Sequence, residues 1–359
     1  MSDISKIDKN FEITTEIERE GLVFHSITEP PFSVHGLIRE WDAFVRMPCA
    51  VAEKVSVGVF DLARHTAGGR VRFITDSPYV VIKAETPGAY MMPHMPETGL
   101  GGFDLYTDEG EGEKYFKSFI PSVPPKPEYD SVADFPTEKE RLLTVNFPLY
   151  CRVKNLYIGL KEGCVLKKAP DYSISAPFVY YGSSITQGGC ASRPGNSYQA
   201  MICRRFNADY INLGFSGNAK GEDAMIEYLA GLDMSLFVLD YDHNAPSNEH
   251  LLATHEKLFM RMRETHPDIP IIIMSRPKPY SYLNAMERGR ADIIKATYEN
   301  AKARGDENVY YIPGWELCEI CGGEGTVDGT HPTDLGFYSM YVRLADEIKS
   351  IIDSGKLKV

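Results

Sequence analysis

The chain has 359 residues, a hydrophobic content of 43%, a charged content of 25% and a formal net charge of −12. Single cores stop growing near roughly 250 to 300 residues, so this length favours two domains, and the ordinary composition excludes disordered and fibrous architectures. The acidic balance, with no run of Lys or Arg, argues against nucleic acid as a partner.

The N-terminal sequence is polar and charged, and it lacks the apolar segment of a secretory signal. No apolar segment approaches the roughly 20 residues needed to span a bilayer. The seven cysteines are an odd number scattered through both halves, which fits a reducing compartment. We therefore expect a cytoplasmic protein without membrane association, unless a signal was trimmed from this sequence. The sequence is compatible with a homo-oligomer.

Residues 1–172 contain short alternating segments separated by Gly, Pro, Asp and Asn, a pattern typical of antiparallel strands in an all-β sandwich. Five prolines within residues 121–136 predict a surface loop or an extended edge. MMPHMP, residues 91–96, is interpreted as an apolar contact surface between domains or as part of a core. The predicted strands are VSVGVFDLA, RVRFITDS, YVVIKAE, GFDLY, RLLTVNFP and VKNLYIGL.

The polar passage KKAPDYSIS, residues 167–175, is the predicted linker, and the pattern changes after it. In residues 173–359, apolar runs of five to eight residues alternate with amphipathic helical segments. This alternation predicts an α/β domain whose parallel sheet is covered by helices on both faces. The strand candidates are APFVYY, DYINLGF, SLFVLDY, IPIIIMS and NVYYIP.

The first predicted strand of this second half is followed by GSSITQGG, residues 182–189. Ligands gather at the carboxyl ends of the strands in an open parallel sheet, and the loop after the first strand commonly lies there. The segment matches neither a dinucleotide fingerprint nor a P-loop, which disfavours phosphate binding. Ser184, on a turn opened by Gly182, could attack a carbonyl if a base activated it. Taken alone, a helix-cap serine is the simpler interpretation of this residue.

GSSITQGG resembles the first block of the SGNH (GDSL-like) hydrolase family, and later segments match its other blocks in order. Gly217 in NLGFSGNAKG matches the second-block glycine, and Asn244 in LDYDHNAP matches the third-block asparagine. DGTHPTDLG supplies Asp328 and His331 of the last block. The first half resembles the GxDLY domain, with its signature in GGFDLY. The resemblance implies a flavodoxin-like, three-layer α/β hydrolase domain preceded by an all-β, jelly-roll-like sandwich.

The resemblance also implies a serine hydrolase site. Ser184 would attack, His331 would take its proton, and Asp328 would orient the imidazole. The N–H groups of Ser184 and Gly217 and the side-chain amide of Asn244 would form the oxyanion hole.

Three further residues are candidates for binding a polar substrate. Arg193 follows residues 182–189, the segment that carries the expected nucleophile Ser184 and is called the nucleophile turn below. Arg276 ends the fourth predicted strand. Substrate-facing loops of an open sheet lie at both places. Solvent exposure is the simpler interpretation of both arginines. Asp242 replaces a glycine of the family's third block, where it could recognise a hydroxylated substrate.

Two other features are given no functional role. Cys318 and Cys321 form one C-x-x-C, but no second pair of ligands follows at the spacing of a zinc site, so they are interpreted as small apolar side chains near the last strand. His250 and His255 lie on a predicted amphipathic helix, where we expect exposure to solvent.

We therefore expect a serine esterase that needs no metal or cofactor and hydrolyses small acyl esters, with acetyl groups on carbohydrate as the expected substrates. Its expected partner is a small-molecule or oligosaccharide acyl ester. One alternative is a carbohydrate-binding protein whose hydrolase domain has lost catalysis. The other is an acyltransferase or a thioesterase that uses the same serine.

Overall fold

The computed structural model describes residues 17–357, and the first half of this range is rich in β-structure. Its helices are α1 (Cys49–Val55), α2 (Val57–Ala63) and α3 (Glu97–Leu100). Its strands are β1 (Leu22–Ser26), β2 (Ser33–His35), β3 (Ile38–Glu40), β4 (Ala43–Val45), β5 (Arg70–Thr75), β6 (Tyr79–Glu85), β7 (Phe103–Asp108), β8 (Lys114–Phe119), β9 (Glu128–Asp134), β10 (Arg141–Asn146), β11 (Asn155–Lys161) and β12 (Leu166–Lys168).

Two antiparallel sheets form the predicted all-β domain. One has the order β1-β11-β6-β9, and the other has the order β12-β5-β10-β7-β8 with β2 paired to β5. The alternating residues Val80 and Ile82 of β6 are fully buried and pack in one cluster with Phe73 and Leu143 of the other sheet. Five of the six predicted strands of this half are confirmed, as β5, β6, β7, β10 and β11. The proline-rich segment contains β9, which is an edge strand as expected.

The segment VSVGVFDLA is helical, so the prediction of a strand there is wrong. The hydroxyl of Ser56 accepts a hydrogen bond from the N–H of Val59 at 3.1 Å and caps α2. Val59 and Ala63 lie four residues apart on one face of α2, and both are fully buried. They pack against the sheet of the second half. Short apolar segments of this kind do not distinguish a strand from a helix by periodicity alone.

The second half alternates strands and helices. Its strands are β13 (Ile174–Gly182), β14 (Ala208–Gly214), β15 (Leu236–Asp240), β16 (Ile271–Met274) and β17 (Val309–Ile312). Its helices are α4 (Ser184–Gln187), α5 (Tyr198–Phe206), α6 (Asp223–Ala230), α7 (Asn248–Thr265), α8 (Ala285–Ala303), α9 (Gly314–Leu317) and α10 (Asp334–Asp353). In the described part of the chain, none of the helices combines the length and the apolar character needed to cross a bilayer.

The sheet of the second half is parallel and has the order β14-β13-β15-β16-β17. This is the flavodoxin-like order, in which the crevice at the carboxyl end of the first strand is the usual ligand site. Phe178 and Val238 face one helical layer, whereas Val179 and Leu239 face the other. The expected three-layer α/β domain behind an all-β domain is confirmed.

Both core clusters of the α/β sheet include residues from the first half of the chain. These residues are Ala67, Met95, Leu100, Leu149 and Tyr150 on one face, and Met47, Ala52, Val59 and Ala63 on the other. The interpretation of residues 91–96 as an interdomain contact is confirmed for Met95, which is 5% exposed and packs in the first of these clusters.

Two buried arginines from the first half bind residues of β14. Arg46 donates through Nη1 to the carbonyl oxygens of Asn212 and Gly214, at 3.2 Å and 2.5 Å. Arg70 pairs through Nη2 with the carboxylate of Asp209. Charge-assisted hydrogen bonds in a buried setting are among the strongest polar contacts, so the first half holds the strand next to the nucleophile turn.

Candidate active site

The nucleophile turn forms where β13 passes into α4. Gly182 ends the strand, and a Cβ added there would lie 2.2 Å from Oγ1 of Thr186, so only glycine fits. Ser183 caps the short helix, because its Oγ accepts a hydrogen bond from the N–H of Ile185 at 3.2 Å. Ser184 is the first residue of α4 and is 7% exposed.

The last predicted block lies between α9 and α10 and meets this turn. Oγ of Ser184 lies 3.0 Å from Nε2 of His331, and Nδ1 of His331 lies 2.7 Å from Oδ2 of Asp328. The other carboxylate oxygen, Oδ1, accepts hydrogen bonds from the N–H groups of Thr330 at 2.9 Å and His331 at 2.8 Å. The backbone thus fixes the carboxylate and leaves Oδ2 facing the imidazole.

The electrostatics of Asp328 suit this arrangement. Burial alone would raise its pKa, but the N–H and ring of His331 and the N–H of Thr330 outweigh burial and lower the pKa to about 2. A carboxylate that stays charged favours the tautomer with the proton on Nδ1. Nε2 of His331 can then accept a proton from Ser184.

Gly217 lies in the loop after β14, which packs beside the turn. Gly214, at the end of β14, would place a Cβ 2.1 Å from the N atom of Gln187 in α4, so the close approach requires glycine. Ser216 donates its N–H to Oε1 of Gln187 at 3.1 Å and ties the loop to α4. Gly217 has a φ of +69°, which favours glycine. Its role as an oxyanion donor stays a prediction.

Asn244 follows β15 and contacts the same loop. Its Oδ1 accepts a hydrogen bond from the N–H of Ala219 at 3.3 Å. Because this bond uses the acceptor end of the amide, the NH₂ group is the part left to donate. The structure thus links the second and third blocks, and the proposed donation to an oxyanion stays a prediction.

Arg193 points to the β-sandwich, where three side chains hold its guanidinium. Nη1 lies 3.3 Å from Oδ2 of Asp104 and binds the hydroxyl of Tyr106, and the guanidinium carbon lies 3.9 Å from the ring centroid of Tyr115. Asp104 is fully buried and also accepts the N–H of Gly195 at 2.8 Å. Asp104 and Tyr106 belong to the GxDLY signature, so the signature ties the sandwich to the loop after the nucleophile turn.

Arg276 supports the loop that carries the imidazole. Its Nη2 donates to Oγ1 of Thr330 at 2.7 Å, and its Nη1 donates to Oε1 of Glu287 at 2.7 Å. The N–H of Arg276 donates to Oδ2 of Asp242 at 2.9 Å. Burial raises the pKa of Asp242 to about 6, against the lowering effect of that N–H and of the guanidinium. A role for Arg193, Arg276 or Asp242 in binding substrate stays a prediction.

One residue near the imidazole carried no signal in the sequence. His94, from the loop before α3, has its ring centroid 5.6 Å from that of His331. Ligand atoms of His94, Asp328 and His331 all lie within 4.8 Å of one another, so these side chains could hold a metal ion. An isolated His in a Met-Pro loop gives no motif, and only the packing of the two halves brings it here.

The C-x-x-C lies behind the loop of Asp328. Cys318 and Cys321 are buried and line a cavity of about 490 Å³ together with Thr330 and Pro332. The cavity also touches Asp328, but neither Ser184 nor His331 lines it. The series of contacts from Asp328 through His331 ends at the Ser184 hydroxyl, so the candidate site lies at that hydroxyl and not in this cavity.

Comparisons with known proteins agree with this geometry. The GDSL-like lipase/acylhydrolase family matches residues 175–353, and the family described as the N-terminus of SGNH-hydrolase-type esterases matches residues 22–166. No curated protein matches the chain.

Three solved structures are similar over nearly the whole chain. A protein from Bacteroides ovatus described as a GDSL-like lipase is 29% identical, with a TM-score of 0.82, and the match covers 94% of this chain and 99% of that one. The salicylyl-acyltransferase SsfX3 from a tetracycline biosynthetic pathway is 20% identical, with a TM-score of 0.77 and coverage of 93% and 98%. An acetyl xylan esterase from Butyrivibrio proteoclasticus is 14% identical, with a TM-score of 0.59 and coverage of 94% and 100%. At these lower identities the last two show the fold alone. The chain belongs to the SGNH (GDSL-like) hydrolases, as an enzyme whose hydrolase domain follows a GxDLY domain.

Proposed function

We propose that this enzyme is a serine esterase that removes acetyl and other small acyl groups from carbohydrate esters. The observation that carries the proposal is the continuous chain of hydrogen-bonding distances from Asp328 through His331 to Ser184, at 2.7 Å and 3.0 Å. A serine needs a base within such reach to become a nucleophile at neutral pH, and the base needs a partner that orients it.

In the proposed mechanism, Oγ of Ser184 attacks the ester carbonyl while Nε2 of His331 takes its proton. The negative charge on the carbonyl oxygen would be stabilised by the N–H groups of Ser184 and Gly217 and the amide of Asn244. The alcohol then leaves with the proton from His331, which yields an acyl-serine. Water, activated by the same imidazole, releases the acid and regenerates the serine.

The carbohydrate substrate is supported by the polar surroundings of the site and by the named activity of one structural neighbour, an acetyl xylan esterase. Arg276 and Lys278 are 21% and 22% exposed beside the loop of Asp328. Partly exposed charged groups suit a hydroxyl-rich alcohol better than a long acyl chain. The cytoplasmic location and the lack of nucleic-acid and membrane partners stay predictions from sequence.

The test is acetate release from a panel of acetylated xylo- and cello-oligosaccharides, with p-nitrophenyl acetate as a general substrate. We expect Ser184→Ala to lower turnover by a factor on the order of 10⁴ or more, because the whole hydrogen-bonded unit loses its nucleophile. The matched control is Ser350→Ala, an exposed serine on α10. The mechanism would be abandoned if Ser184→Ala kept most of the wild-type rate.

Two further measurements separate the alternatives. An organophosphonate should label the wild type and Ser350→Ala at Ser184 and leave Ser184→Ala unlabelled, whereas a hydrolase domain that had lost catalysis would give no adduct. Product analysis with an added alcohol acceptor distinguishes hydrolysis from acyl transfer. An acylated acceptor formed in preference to acetate would assign the enzyme as a transferase.

A further inference from the structure

We propose that His94, Asp328 and His331 form a binding site for a zinc-like divalent cation, and that the bound cation inhibits the enzyme. The binding half of this proposal stands on geometry alone. The inhibitory half rests on the proposed function, because it requires His331 to be the base that activates Ser184.

The three side chains offer a suitable set of ligands. Zinc takes imidazole nitrogens at about 2.0 to 2.1 Å and carboxylate oxygens at about 2.0 to 2.2 Å, and three protein ligands with an open fourth position are a common arrangement. Ligand atoms around such a tetrahedral ion are roughly 3.5 Å apart, and here they all lie within 4.8 Å of one another. The side chains of Asp328 and His331 are 40% and 24% exposed, so a cation can reach them from solvent. Side-chain rotations would be needed to bring the ligand atoms to that spacing.

The loop that carries His94 is anchored against the α/β domain. The adjacent Met95 is 5% exposed and packs in the same cluster as Ile185 of the nucleophile helix. Four residues after His94, Oγ1 of Thr98 donates to the carbonyl oxygen of Ser192 at 2.5 Å. Buried contacts therefore hold the backbone of this loop so that the exposed imidazole of His94 lies beside that of His331, which lowers the entropic cost of assembling the ligands.

Binding would remove the base. A metal ion takes the lone pair of an imidazole nitrogen and releases or displaces the proton there. Coordination through Nε2 would occupy the atom that faces Ser184. Coordination through Nδ1 would break the contact with Asp328 and leave the remaining proton on Nε2, where it cannot accept another. Either arrangement leaves Ser184 without a proton acceptor.

The direct test is isothermal titration of metal-free protein with ZnCl₂, supported by the visible absorption of Co²⁺ as a check on tetrahedral coordination. Wild type should bind one Zn²⁺ per chain. Ser184→Ala should bind equally well, since Ser184 is not a ligand, so this measurement does not depend on esterase activity. His94→Ala and His94→Gln should bind at least about tenfold more weakly, because losing a ligand should cost no less than losing an outer-shell partner. His25→Gln, in β1 of the sandwich, is the matched control and should bind as wild type does.

The second readout is activity. Micromolar Zn²⁺ should slow acetate release by wild type and by His25→Gln, and EDTA should restore it. The His94 variants should need at least about tenfold more Zn²⁺ for the same fractional inhibition. Failure of wild type to bind Zn²⁺, or equal affinity in wild type and both His94 variants, would overturn the site. Binding that leaves the rate of an active wild type unchanged would overturn the inhibition alone.

Discussion

The sandwich and the α/β domain complete their cores in different ways. The buried cluster of the sandwich consists only of residues from the first half of the chain, between Ile27 and Leu160. Both clusters of the α/β domain, in contrast, include side chains from that same first half, such as Val59 on one face and Leu149 on the other. The sandwich can close its core alone, whereas the α/β domain depends on the sandwich half for part of its interior.

The same asymmetry extends to the candidate active site. Ser184, Asp328 and His331 all come from the α/β half, but His94 from the first half lies beside the imidazole. Asp104 of the GxDLY signature is buried under the loop that follows the nucleophile turn. The first half therefore packs against the hydrolase domain and places His94 beside the candidate site.

The largest expected effect comes from removing the first half. Residues 173–357 expressed alone should aggregate or lack a cooperative unfolding transition, because both faces of the sheet would expose apolar surface. Size-exclusion chromatography and thermal unfolding followed by near-UV circular dichroism would measure this, with the full chain as control. A monomeric fragment with a cooperative transition would show that the α/β domain does not need the first half to complete its core.

Asp328→Asn tests whether the residues that catalyse ester cleavage come from the α/β half. We expect turnover to fall by a factor on the order of 10⁴, because an amide favours the wrong imidazole tautomer. The urea midpoint should stay close to wild type, since Asn can still accept the N–H groups of Thr330 and His331. Steady-state kinetics and urea unfolding on the same samples check both expectations. A loss of activity explained wholly by unfolding would contradict this assignment.

Arg70→Met tests the opposite case, a residue of the first half that stabilises the second. It removes the buried guanidinium partner of Asp209. Breaking a buried pair costs about 3 to 5 kcal/mol, and we expect a value near the lower end because Asp209 keeps its contact with His35 at 3.0 Å. The control is Arg19→Met at an exposed pair with Asp134, 2.9 Å apart, which should cost less than about 1 kcal/mol. Urea unfolding gives both values. Equal costs for the two substitutions would show that the contact with β14 is unimportant.

The α/β half could be predicted from sequence because its signals are local. Continuous apolar runs such as IPIIIMS report strands that are buried on both faces, and amphipathic segments between them report the covering helices. The four family blocks lie in order along the chain, so Ser184 and His331 could be proposed as partners although 147 residues separate them. The open sheet order explains how one edge of the sheet brings such distant residues together.

The features that could not be predicted from sequence depend on contacts between elements that are distant along the chain. VSVGVFDLA forms a helix whose residues Val59 and Ala63 pack against one face of the α/β sheet. The local sequence pattern does not indicate that this packing surface exists. His94 reaches the site only through the docking of its loop. The sequence predicts that His255 is exposed, but the residue is fully buried, and its Nδ1 lies 2.9 Å from Oγ1 of Thr297 in α8. Its helix is covered on the side that the sequence assigned to solvent.

The buried His255 leads to the smallest of the expected effects, an acid lability that arises from one residue of the α/β half. Burial lowers the pKa of His255 to about 3, compared with about 6.5 in an unfolded chain. Between these values the unfolded chain binds a proton that the folded chain does not, so the free energy of unfolding falls as the pH drops from 6.5 towards 3. At pH 5 this residue should account for a loss of about 2 kcal/mol relative to pH 7.

His255→Gln removes the titration and keeps an amide that can bind Thr297. Urea unfolding at pH 7 and pH 5 should therefore show a pH-dependent loss that is about 2 kcal/mol smaller in His255→Gln than in wild type. His25→Gln in the sandwich should change the loss less, because the side chain of His25 is only partly buried, although burial lowers its pKa too. If the two variants shifted the loss equally, the buried imidazole of His255 would not be the source of this part of the acid lability.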